Sequence, residues 1–108
     1  FVITHFKKYI MRQCTTLEQT QHLIELGFEK PQPSFYQNGA SWIMCDGNYS
    51  IGELTGFLPK KFNNHDLMIL YQCGWMVHYK DTMLRWTNDE LVYALYAACV
   101  ELKNEGVI

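Results

Sequence analysis

Apolar residues recur three to four positions apart in some stretches of this chain and two apart in others, and the change of spacing divides it into elements. The first helical stretch is "TTLEQTQHLIELGF", where Thr15 followed by Glu18 has the form of a capping box and Gly27 stands where a left-handed residue ends a helix. A helix is predicted from about Thr16 to Leu26. Leu17, Leu23, Ile24 and the flanking Phe28 make only a modest stripe beside Gln19, Gln21 and His22, which places this helix on the outside of the domain. The two prolines and the Asn-Gly of "EKPQPSFYQNGAS" break regular structure and predict a loop with one extended aromatic segment. "SWIMC" then predicts a short buried strand ending at the turn "CDGN". Ser50 and Glu53 form a second capping box before Ile51, Leu54, Phe57 and Leu58, a brief helix stopped by Pro59. Gly52 and Gly56 weaken it in isolation, so tertiary contacts must hold it.

The spacing then changes to two. In "DLMILYQ", Leu67, Ile69 and Tyr71 oppose Met68, Leu70 and Gln72; in "WMVHYKD", Trp75, Val77 and Tyr79 oppose Met76, His78 and Lys80. Two strands are predicted, joined by a two-residue reversal at Cys73-Gly74. "MLRW" follows a turn at Asp81-Thr82 and predicts a third strand. Thr87 and Glu90 suggest a third capping box opening the strongest element, "NDELVYALYAACVELKNEG", which Gly106 ends. Leu91, Leu95, Ala98 and Leu102 are its central core stripe, flanked by Val92, Ala94 and Cys99. Tyr93, Ala97 and Val100 lie towards the far side, so the helix is apolar over more than the usual arc. The order predicts an α+β domain: a small antiparallel sheet of three to four strands covered by a long C-terminal helix, with an N-terminal helix and a short central helix.

Composition narrows the function classes. Nine Lys and Arg against eleven Asp and Glu leave a net charge of -2, so no overall positive field collects phosphates or an anionic membrane. Leu91 to Val100, the longest purely apolar run, has ten residues, far short of the roughly 20 a membrane-spanning helix needs. Cys14, Cys45, Cys73 and Cys99 are separated by 31, 28 and 26 residues with no CxxC pair, from which free thiols and a reducing, cytoplasmic setting are expected. The opening "FVITHFKKYI" lacks the apolar core of an export signal. Residues 1–14 are taken as an N-terminal arm or extension, with Met11 as the native start, and residues 15–108 as one domain.

Candidate chemistry adds little. Cys73 and His78 with His65 or Cys45 could supply zinc ligands, but no second closely spaced pair exists. A Cys73–His78 dyad across the hairpin is the one nucleophile–base pairing available. Asp81, Asp89, Glu90 and Glu53 are better explained by turns and caps than by acid–base work. No GxGxxG, P-loop, GxSxG or HExxH pattern occurs, so no catalytic or metal-ligating set is assigned and no cofactor is expected. Trp75, Tyr79 and Trp86 could stack on bases, with Lys60-Lys61 and the basic residues Lys7, Lys8 and Arg12 as phosphate contacts, but the acidic balance disfavours nucleic acid. Recognition of protein remains. Tyr93, Tyr96, Ala97 and Val100 on the last helix, with Phe35 and Tyr36 in the loop, are the residue types that anchor interfaces.

The segments "YSIGELTGFLPK" and "LRWTNDELVYALYAACVELKNEGVI" resemble small uncharacterised proteins carried by prophages and mobile elements of gut bacteria, over roughly residues 15–108. That resemblance carries no activity or site residue. It implies a setting in which a small protein acts by occluding a host protein. The expectation is therefore a non-catalytic protein-binding or self-associating module, with a protein partner or homodimer and no membrane. A nucleic-acid-associated regulator is the alternative, and a Cys/His enzyme comes third.

Overall fold

The computed structural model describes residues 12–33, 35–38, 41–45 and 47–108. Residues 1–11 of the expected N-terminal arm, including Lys7, Lys8 and Met11, lie outside them, whereas Arg12, Gln13 and Cys14 are described. Helix α1 (Leu17–Glu25) is followed by strands β1 (Phe35–Asn38) and β2 (Ser41–Met44) and by helix α2 (Ile51–Phe57). Strands β3 (Lys61–Phe62), β4 (His65–Tyr71), β5 (Trp75–Tyr79) and β6 (Arg85–Asn88) lead to helix α3 (Leu91–Asn104). The last four strands form one antiparallel sheet in the order β3-β4-β5-β6, while among the described residues β1 and β2 pair with each other alone. Among the described residues this is the expected α+β architecture, with a four-stranded antiparallel sheet, a separate two-stranded ribbon and three helices.

Alternation decides which face of the sheet is dry. Leu67 pairs with Tyr79 and Ile69 with Val77, while Val77 also pairs with Trp86, so these residues share the side covered by α3. Val77 and Tyr79 are fully buried there. Burying such a side chain stabilises by about 1.5–3 kcal/mol, and the Tyr79 hydroxyl avoids a desolvation penalty by donating to Pro59 O at 2.7 Å. Helix α3 buries Leu91, Val92, Ala94, Leu95, Ala98, Cys99 and Leu102, the seven residues its periodicity selects. Leu23 of α1, Leu54 of α2 and the flanking Tyr49 and Leu58 join this core.

Helix caps follow the expected chemistry at one end of the chain better than at the other. Ser50 and Glu53 form both bonds of a capping box. On α1 the box is shifted by one residue to Thr16 and Gln19, because Thr15 is buried and its Oγ1 instead accepts from Tyr49 N at 3.0 Å and pairs with Thr20 Oγ1. Leu23 is buried and Ile24 and Phe28 pack against the core, as the stripe read from spacing has them, but Leu17 is exposed, and Gln19 and Thr20 are buried in its stead. The third box does not form. Thr87 is held in β6, and α3 begins at N-cap Glu90 with no side-chain cap; Glu90 N instead donates to Asn88 Oδ1 at 2.9 Å.

The hairpin also departs from expectation. Tyr71 pairs with Trp75, so the reversal is centred on Cys73 and spans Gln72 to Gly74 rather than two residues. Gln72 N donates to Gly74 O at 2.8 Å, and both Cys73 (φ 56) and Gly74 (φ 136) take the left-handed backbone this tight loop requires. The two-residue strand β3 was not expected; Asn63 and Asn64, both at positive φ, turn it back onto β4.

Candidate functional site

Spacing along α3 sets its outward strip. Tyr93, Ala97 and Val100 stand at i, i+4 and i+7, one line on a helix, opposite the buried stripe. Tyr93 is 45% exposed, whereas Ala97 and Val100 are half-buried and pack at the margin of the core. Tyr96 is turned aside towards α1: His22 Nδ1 and Tyr96 Oη lie 2.5 Å apart, and the rings meet edge-to-face at 5.8 Å. Tyr93 and Tyr96 are themselves edge-to-face at 5.9 Å. Burial first, and then the neighbouring Tyr93 hydroxyl, push the Tyr96 phenol above its ordinary range.

Phe35 and Tyr36, the other expected anchors, lie on β1 opposite Met44 and Ile43 of β2. They therefore belong to the separate two-stranded ribbon, and their side chains lie outside the described ones. The expected six-residue group divides into the α3 strip, Tyr96 engaged with α1, and a ribbon that the sheet pairing does not join to either.

A second apolar surface was not singled out from the sequence. Met68, Leu70 and Met76 occupy the sheet face away from α3, with Leu70 paired to Met76 and 41% exposed. Its signal was present in strand β4, where both alternating sets are apolar. His78 lies on the same face, paired with Met68 and Arg85, and its Nε2 is buried without a hydrogen-bond partner among the described residues.

The reactive-centre candidates fall apart geometrically. Cys73 is exposed at the hairpin tip, while His78 stands three residues beyond Trp75, about 10 Å along the strand at about 3.3 Å per residue. Cys99 is buried, its Sγ directed at Leu54 O, and burial pushes its thiol up to about 12. Cys14 and Cys45 are joined in a disulfide, which corrects the expectation of four free thiols. Their spacing of 31 residues carries no information about distance; backbone pairing of Cys14 with Ser50 lays the segment ahead of α1 beside the turn that follows Cys45. Among the described residues no three His, Cys, Asp or Glu side chains gather closely enough to hold a metal ion, and no helix is long and apolar enough to cross a membrane. Tyr79 and Trp86, proposed stacking rings, are buried on the α3 side of the sheet, and Lys61 is paired with Asp66 at 3.5 Å.

Comparisons with protein-family models, with curated proteins and with solved structures found no match.

Proposed function

We propose that this protein works by binding protein, first of all a second copy of itself, through the outward strip of α3. The supporting observation is Tyr93, a large ring left 45% exposed on a helix whose opposite side is fully committed to the core. Aromatic residues in such positions are the usual anchors of interfaces. A micromolar complex needs about −8 kcal/mol, more than three side chains supply, so the polar neighbours Glu101 and Asn104 form the rim and the association is reversible on dilution.

A host protein is the second partner in this reading, in the setting of a mobile element that "YSIGELTGFLPK" and the α3 segment suggest. Cytoplasmic residence was inferred from free thiols; a Cys14–Cys45 bond removes that support and favours an oxidising compartment. The interface is tested by sedimentation of Tyr93→Glu and Ala97→Glu. Each variant is expected to sediment as a monomer where the parent associates; an unchanged association would remove this face of α3 from the interface.

A further inference from the structure

Where the β4–β5 loop meets the junction of β6 and α3, a cleft of about 220 Å³ opens between Gln72, Trp75, Met76, Thr87, Asn88 and Asp89. Its size is below the roughly 300 Å³ at which sites for drug-sized ligands begin, so it fits one inserted side chain better than a whole small molecule. The walls then select among side chains. Asp89 is exposed, and its carboxylate meets no hydrogen-bond donor or ion-pair partner among the described residues. A Cβ placed on Gly74 would stand 3.6 Å from Asp89 Oδ1, so the carboxylate leans over the loop that closes the cleft. Beside it, Trp75 meets the 64% exposed Tyr71 at 5.0 Å with the ring planes at 62°, two aromatic surfaces set at an angle. Among the described residues, no Lys or Arg lines the cleft.

An anionic side chain here would face the Asp89 carboxylate, and an apolar one would desolvate that carboxylate without giving it a partner. A cation gains from both the carboxylate and the ring. We infer that this cleft receives a lysine or arginine side chain presented by a partner protein, an inference that rests on the protein-binding reading and names the chemistry of one contact.

The probe is N-acetyl-lysine methylamide, titrated against the full chain while the indole N–H of Trp75 is followed by NMR; N-acetyl-norleucine methylamide supplies the same hydrocarbon without the charge. The lysine probe is expected to shift Trp75 and the Gly74 and Asp89 amides saturably, and the norleucine probe is not. Asp89→Asn is expected to weaken the lysine probe about two- to fivefold, the range of an exposed ion pair, and Asp89→Lys to abolish its binding. Both substitutions are at an exposed position, and retained Trp86 dispersion confirms the fold. No saturable shift from the lysine probe, an equal shift from norleucine, or unaltered binding by both folded variants would overturn the inference. Light scattering on the same samples reads self-association separately, so a protein that associates but ignores the probe loses the cleft alone.

Discussion

Cys14 is bonded to Cys45, joining the residue ahead of α1 to the end of the β1–β2 ribbon across 31 positions of sequence. The bond stands beside a polar knot in which Thr15, Thr20, Asn48 and Tyr49 hydrogen-bond one another. Closing a loop of this separation restricts the unfolded chain by about 4 kcal/mol. Cys14→Ser with Cys45→Ser is expected to lose most of that in urea denaturation. Thiol titration of the unreduced, denatured protein should count two groups, Cys73 and Cys99, and four after reduction. A count of four before reduction would show the bond absent.

The bond between His22 and Tyr96 fastens α1 to α3. Tyr96→Phe keeps the ring and leaves His22 Nδ1 without that partner, so a loss of about 1 kcal/mol is expected. Hydrogen exchange should quicken over Leu17–Glu25 more than over the strands, since the change loosens one helix rather than the core. Uniform quickening would mean that Tyr96 acts through the core instead.

Capping chemistry separates three similar sequence patterns. Thr16→Ala and Ser50→Ala each remove a formed capping box and should cost about 1 kcal/mol. Thr87→Ala should change stability by less than about 0.5 kcal/mol, because Thr87 is an exposed strand residue and caps nothing. Chemical denaturation of the three variants decides it.

These cap assignments show how far the sequence could be read. The long C-terminal helix was legible because seven apolar residues repeat on one side of it, and Ser50 with Glu53 because Glu53 has an oxygen for each demand, Oε1 accepting from Ser50 N while Oε2 accepts from Gln32 N. Thr15 misled because Tyr49, distant in sequence, claims its hydroxyl, and Thr87 because strand pairing with Met76 outweighs a local cap. The orientation of Tyr96 depended on where α1 docks, and the division of the aromatic anchors depended on the separate pairing of β1 with β2. None of these long-range relations leaves a trace in local spacing. The hairpin tip was read as a turn, but the cleft beneath it needs Thr87, Asn88 and Asp89 folded against Gln72 and Trp75.

Buried acids that hold their protons make the fold sensitive to alkali. Burial pushes Cys99 from an ordinary 9.0, and Tyr79 from 10.0, up to about 12, and raises Tyr49 as well. A raised folded-state pKa gives stability that is complete below the unfolded value and is lost as pH climbs through the folded one. Stability should therefore be insensitive to these groups below about pH 9 and fall between about pH 9 and 12. Cys99→Ala removes the first contributor and should move the onset towards pH 10, where Tyr79 begins to act. Thermal unfolding followed across that window checks the shift, and an unmoved onset would exclude the Cys99 thiol as its cause.

Self-association through α3 is the central claim, and multi-angle light scattering on the purified full chain over a range of micromolar concentrations tests it most directly. The predicted result is a mass that rises with concentration from one 12.7 kDa chain towards two, with Tyr93→Glu remaining at the mass of one. A mass of 12.7 kDa at every concentration would contradict it.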